Sequence, residues 1–202
     1  RVGIFHNETT AWVVLAISLI ITVLASYITG QTIQYRAEDR FAFEVEEARH
    51  HITGRMLEYE QVLWGGVGLF KTLSGAVTRK QWHQYVETLQ LQCFYPGIQG
   101  MGFALMLGHD DLVSHIEEVR SEGFPDYSIT PVTDRNTYST IVYLEPFDAR
   151  NRRAFGYDMF SEEVRRTAME RARDSGRPAV SGRVTLVQEK GDDIQAGFLM
   201  YL

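Results

Sequence analysis

One cysteine, Cys93, stands in 202 residues, so no disulfide can close within the chain, and no Cys or His pairing has zinc spacing. A lone thiol of this kind is expected to be a small buried apolar group. The sequence also lacks a phosphate-cradling glycine loop, a nucleophile elbow, an internal repeat and a low-complexity linker. Its 20 Lys and Arg are outnumbered by 26 Asp and Glu, a net charge of −6. That balance argues against a nucleic-acid partner, which would want a basic face. The most informative absence is local: no charged residue falls between Glu8 and Arg36.

That uncharged interval contains "AWVVLAISLIITVLASYI", residues 11 to 28. Crossing a bilayer core takes roughly 20 apolar residues in helical form. Trp12 at one end and Tyr27 and Tyr35 at the other suit the two interfaces. A cleaved signal peptide would have a shorter apolar run behind a basic flank, whereas only Arg1 precedes this one. A retained transmembrane helix is expected at 11–30, after a short flank at 1–10. The charges of that flank, one Arg and one Glu, do not orient it.

Helical periodicity continues beyond the apolar run. Ala37, Phe41, Val45, Ala48, Ile52, Met56, Tyr59, Leu63 and Gly66 recur at steps of three and four, one stripe along a helix. A membrane-proximal helix and connector is expected over 31–77, reaching roughly 50 Å if unbroken. The stripe fits packing on its own domain, and it fits the seam of a homodimer; both can hold. Gly65, Gly66 and Gly68 put its distal end in question.

The remainder alternates helix and strand. "AVTRKQWHQYVETLQL" opens with a capping box, Thr78 with Gln81, and "IQGMGFALML" reads as a strand. A helix is expected from His109-Asp110-Asp111, strands at "YSIT" (127–130) and "STIVYLEP" (139–146), and a helix capped by Ser161-Glu162-Glu163 that closes at Gly176. Two further strands, "AVSGRVTLVQ" and "IQAGFLMYL", flank a turn at Lys190-Gly191-Asp192-Asp193. The expected class is α+β, an antiparallel sheet with helices to one side. The final "GFLMYL" reads as a strand cut short, so the chain is expected to be a piece of a longer polypeptide.

Chemistry concentrates in "TYSTIVYLEPFDARNRRAFGYDM", residues 137 to 159. Three readings fit it: a catalytic pair, a ligand pocket, or a solvated strand end. Glu145 and Asp148 offer acid–base chemistry, yet carboxylates three apart across a proline need not face each other. His50 and His51 diverge by about 100° on a helix and cannot share a metal. Asp111 and His115 could share a helix face, a weak signal, so no metal site and no cofactor is expected. Asn136, Tyr138, Tyr143, Glu145, Tyr157 and Asp158 supply the mixture of aromatic walls and placed polar groups that small-molecule sites use. Strand alternation sends Tyr143 and Glu145 to one face and Val142 and Leu144 to the other. If the second face meets the core, the first can line a cavity. Arg152 and Arg153 are expected to pair with local acids.

The stretches "YPGIQGMGFA", "TYSTIVYLEPFDARNRRAFGYDM", "RRTAMERARDSGRPAVSG" and "TLVQE" resemble the CHASE domain, the extracytoplasmic sensory module of receptor histidine kinases, cyclases and cyclic-di-GMP enzymes. The resemblance covers roughly residues 80 to 202. It implies a long helix followed by two PAS-like subdomains, a second transmembrane helix and a cytoplasmic effector. The sensory domain is then 78–202, with its second PAS-like subdomain incomplete. In plant cytokinin receptors of this family an aspartate before a tyrosine-containing strand binds the adenine ring. By resemblance Asn136 takes that aspartate's place and Tyr138 the tyrosine's. Asn is a departure, since it offers a donor and an acceptor without the charge. Asp158 and Met159 match a Leu-Asp-Met stretch of those receptors.

The expectation is therefore the periplasmic sensory region of an inner-membrane receptor, with a small-molecule ligand, a membrane and a second copy as partners. Its cavity would be lined by strands at 101–106, 139–145 and 194–200, with Asn136, Tyr138, Tyr143, Glu145 and Asp158 as ligand-binding residues. The alternatives are an anchored periplasmic hydrolase using Glu145 and Asp148, and a non-catalytic interaction module. The sequence names neither the ligand nor the downstream effector.

Overall fold

The computed structural model describes residues 4–188 and 196–202. These fall into two compact units, Arg1–Arg55 and Met56–Leu202. The turn expected at Lys190–Asp193 lies outside the described residues.

The first unit is helical. α1 runs Ile4–Thr72, and its stretch Thr9–Gln31, 23 residues of mean hydropathy 2.4, is long and apolar enough to cross a membrane. Two hydroxyls inside that stretch bond back to the helix: Ser18 Oγ donates to the Leu15 carbonyl at 3.0 Å and Thr22 Oγ1 to that of Ser18 at 2.8 Å. Apolar surroundings demand such internal satisfaction. Beyond it, Arg40–Glu44 (2.9 Å) and Arg49–Glu46 (2.5 Å) are exposed pairs at helical spacing. Solvent screens such exposed pairs, so they add little to stability. Phe41, Val45 and Ile52 of the apolar stripe are exposed.

In the second unit α1 continues through Gly65 and Gly66 without a break, which settles the question these glycines raised about its distal end. The reason is close packing. A Cβ on Gly66 would stand 2.9 Å from the Met101 Cε and 3.6 Å from the Trp82 ring, and one on Gly65 would strike the Tyr85 hydroxyl. The helical cost of glycine, about 1 kcal/mol, is offset by the burial of Trp82, only 2% exposed. α1 ends where Ser74 and Gly75 turn left-handed and the Gly75 amide donates to the Phe70 carbonyl at 2.8 Å.

α2 (Arg79–Leu89) starts with the expected capping box of Thr78 and Gln81. The short α3 (Leu91–Phe94) buries Leu91 and leaves Cys93 exposed. The expected buried thiol is thus corrected, because Leu91 fills the inward position of that single turn. Val62, Val77, Trp82, Val86, Leu91 and Met101 make one core, over which Phe70 stacks on Phe103 at 4.4 Å.

β1 (Met101–Gly108) pairs antiparallel with β2 (Thr137–Glu145). Phe103 lies opposite Tyr143 and Ala104 opposite Ile141, so Val142 is an extra residue, a β-bulge. A short 3₁₀ turn, His109–Asp111, leads into α4 (Leu112–Ser121). α4 closes a second core of Leu107, Val119, Tyr127, Ile129 and Tyr138. The strand expected at 127–130 is reduced to one bridge, Thr130 to Tyr157. Pro131, which has no amide to donate, follows at once.

After β2 the chain returns alongside it. Ile141 exchanges bonds with this return, its amide donating to the Tyr157 carbonyl (3.1 Å) and its carbonyl accepting from Gly156 (3.0 Å). Gly156 has φ +82, and a Cβ there would collide with the Ser128 carbonyl. α5 (Glu163–Ser175) is capped by Glu162 and closed by left-handed Gly176. The two long strands expected after it are interrupted: β3 (Ala179–Val180) pairs with β6 (Met200–Tyr201), and β4 (Val184–Thr185) with β5 (Ala196–Gly197). Both ladders follow one antiparallel run, slipped by a residue. At the slip the Leu199 amide donates to Ser181 Oγ (2.9 Å) rather than to a ladder carbonyl.

Candidate functional site

The bulge at Val142 decides which side chains share a face. Opposite partners in an antiparallel pair point the same way. Gly102, Ala104 and Met106 of β1 stand across from Leu144, Ile141 and Ser139 of β2 and form one face. Met101, Phe103, Leu105 and Leu107 stand across from Glu145, Tyr143, Thr140 and Tyr138 and form the other. Without the extra residue, Tyr138 and Tyr143 would lie on opposite faces.

The first face overlooks a cavity of about 650 Å³. Its remaining walls come from Tyr59, Val62 and Leu63 of α1, the Gly97–Gly100 turn, Met159 and Phe160, Met169, Ala172 and Arg173 of α5, and 196–202. The described residues of the stretches 101–106, 139–145 and 194–200 include some that line it. Gly102 lets the wall come close, since a Cβ there would stand 2.8 Å from the Tyr143 carbonyl. Two hydroxyls of lining residues, Ser139 Oγ and Tyr201 Oη, are buried without a hydrogen-bond partner. Burial pushes the Tyr201 phenol up, against the nearby Arg165 charge.

The second face is occupied by helices, and there the polar side chains of β2 have partners. Tyr138, 2% exposed, donates to the Thr133 carbonyl (2.6 Å) and accepts from the Arg135 amide (2.9 Å). Tyr143 donates to the Val77 carbonyl (2.9 Å), and burial raises its phenol pKa. The Arg79 guanidinium lies 5.0 Å from the Tyr143 ring and 4.5 Å from that of Phe124. It also bonds the Val142 carbonyl at 2.7 Å and Glu122 at 2.8 Å. The carbonyl of the bulged residue is thereby tied to α2. His115 and Tyr127 (3.1 Å), then Tyr127 and Thr140 (3.1 Å), make a buried chain from α4 to β2. Burial holds the His115 pKa below its ordinary value, against the raising influence of Glu118 and Glu122.

None of the five residues expected to bind ligand lines the cavity. Asn136 is exposed in the loop before β2. Glu145 accepts from the Phe147 amide (3.0 Å) and lies 3.1 Å from His83 Nδ1, which raises the His83 pKa. Asp158, fully buried, accepts from the amides of Ser139 (2.9 Å) and Phe160 (3.0 Å) and faces Arg135 at 3.7 Å. It pins the return segment to β2 directly behind the cavity wall, at Ser139. Tyr138, Tyr143, Glu145 and Asp158 thus hold the sheet in shape.

The acid–base alternative loses its geometry as well. Asp148 Oδ1 accepts from the amides of Arg150 (2.9 Å) and Asn151 (2.8 Å), so it and Glu145 each serve a separate turn. The expected pairing of Arg152 and Arg153 with acids is also corrected. Arg152 lies over the Phe147 ring at 5.1 Å, and Arg153 donates to the Gln188 carbonyl at 2.8 Å. Among the described residues no cluster of His, Cys, Asp and Glu could hold a metal.

What sequence reasoning passed over is methionine. Five of the six methionines line the cavity: Met101, Met106, Met159, Met169 and Met200. Their spacing along the chain carries no periodic signal, because they arrive from four different segments.

The structure thus defines an α+β domain with a cavity under a small antiparallel sheet, in a chain with one N-terminal helix able to cross a membrane. A sequence model of the CHASE domain matches residues 75–202, and the chain belongs to that family. CHASE domains are extracytoplasmic sensory domains of signalling receptors. No curated protein matches the chain.

Proposed function

We propose that this chain is the ligand-sensing region of a transmembrane receptor, anchored by Thr9–Gln31 with the 78–202 domain outside the membrane. A small ligand occupies the cavity beneath β1 and β2. The observation that carries this reading is the cavity itself, about 650 Å³, with most of its walls inside the family-matched segment. That volume lies within the range of small-molecule sites. The sheet and its flanking helices are read as PAS-like. α1 passes ligand occupancy to a cytoplasmic effector, within a homodimer that covers the Phe41–Ile52 stripe. For this the ligand must favour one of two receptor arrangements, because equal affinity for both shifts nothing.

The exposed Cys93 provides the test. In cells with a permeabilised outer envelope, a membrane-impermeant maleimide labels Cys93, and a Cys93→Ser chain stays unlabelled. Labelling that requires lysis of the inner membrane overturns the placement and the sensory reading with it.

A further inference from the structure

We infer that the cavity selects an uncharged, largely apolar ligand; this rests on the sensory reading above and specifies what is sensed. Among the described residues, the one charged side chain in the lining is Arg173. It is more than half exposed and already paired with Asp174 at 2.7 Å. The carboxylates nearest the wall face other groups: Asp158 Oδ1 accepts from two backbone amides while its Oδ2, without a hydrogen-bond partner, lies 3.7 Å from the Arg135 guanidinium, and Glu145 faces the Phe147 amide and His83. A charged ligand would leave water and, among the described residues, meet no counter-charge in the lining other than the already paired Arg173, a cost that buried ions escape only by pairing.

The lining that is present suits an apolar body. Met106, Met159, Met169 and Met200 put polarisable, unbranched thioethers on several sides of one space, together with aromatic rings such as Phe160 and Phe198. Thioethers adapt to irregular apolar shapes and contact aromatic rings favourably. The polar requirement is small and neutral. Ser139 is fully buried in the sheet wall and its hydroxyl has no partner; Tyr201 on β6 repeats the situation. An unmet buried hydroxyl is costly. A ligand hydroxyl or carbonyl reaching either group removes that cost, and a hydroxyl, unlike Arg or Asp, asks for no ionic charge in return. The ligand class is therefore an aromatic or aliphatic body with one or two neutral polar groups.

Three probes of nearly equal shape separate the possibilities: naphthylethanol, naphthylacetate and naphthylethylamine, neutral, anionic and cationic at pH near neutrality. Binding is followed on the full chain in lipid nanodiscs, with empty nanodiscs subtracted. The neutral probe is expected to bind tighter than either ion by about tenfold or more. Met106→Lys, at a position on the cavity face that is 42% exposed and so tolerant of the change, should weaken naphthylethanol and move preference toward naphthylacetate. Naphthylacetate or naphthylethylamine binding the unaltered chain as tightly as naphthylethanol overturns the inference and leaves the sensory reading intact. If none of the three binds above the nanodisc background, protein fills the cavity in solution, and the inference and the sensory reading fall together.

Discussion

The two faces of the β1–β2 ladder are built from the same two strands, Met101–Gly108 and Thr137–Glu145, yet differ in kind. On the helix-facing side, Tyr138, Thr140, Tyr143 and Glu145 all have hydrogen-bond partners, and Trp82, Val119 and Tyr127 are nearly or fully buried. On the other side Ser139 lacks a partner and Ile141 borders open volume. Richness in polar and aromatic groups therefore marks the scaffold, and the plainer face of small and sulfur-containing side chains marks the site. On the packed side Tyr138 and Tyr143 each find a partner for the hydroxyl they bury, which Tyr201 at the cavity does not.

If this division is right, the largest effects on stability come from the helix-facing side. Trp82→Ala removes the indole that packs over Gly66 and should cost about 3–5 kcal/mol in unfolding experiments. A loss under 1 kcal/mol would mean that α2 does not pack on α1 as described. Next comes Asp158→Ala, which strands the Ser139 and Phe160 amides and should cost about 2–3 kcal/mol. Asp158→Asn keeps an acceptor and should cost less; equal losses would assign the effect to charge rather than to these bonds.

Protonation provides a gentler perturbation. His115 has a folded pKa below its unfolded 6.5, so the unfolded chain takes up its proton first. Stability should be complete above that pH and decline as pH falls beneath it, and His115→Gln should flatten the decline. His83 runs the opposite way. Its pKa is raised by Glu145, so its contribution is present at low pH and lost as pH rises through the raised value. That contribution is small because the His83 side chain is 55% exposed. An acid decline that survives His115→Gln unchanged would remove His115 from the account. The smallest effect belongs to the cavity face: Ser139→Ala deletes an unpartnered hydroxyl and should change stability by less than about 1 kcal/mol. A larger loss would show that the hydroxyl is bonded after all.

The sequence made much of this legible. The apolar run, the capping box at Thr78, the Gly176 closure and the main strands all follow local rules that act within a few residues. The face assignment did not. Alternation from Tyr143 and Glu145 was read correctly over four residues, but the Val142 bulge resets the phase relative to Tyr138 and Ser139, and it depends on a β1 partner more than thirty residues away. The glycines at 65 and 66 left the helix end open for a related reason, since their meaning lies in Trp82 and Tyr85 on another helix. Asp158 looked like a ligand-binding acid because its two backbone partners become neighbours only after folding.

The division between the faces can be measured directly with single cysteines in a Cys93→Ser background. Ile141→Cys and Thr140→Cys differ by one residue and, on this account, by which side of the ladder they occupy. A small thiol reagent should modify the chain carrying Ile141→Cys rapidly and the one carrying Thr140→Cys slowly under native conditions. Equal rates, or faster reaction at position 140, would contradict the assignment of the open face and everything argued from the cavity beneath it.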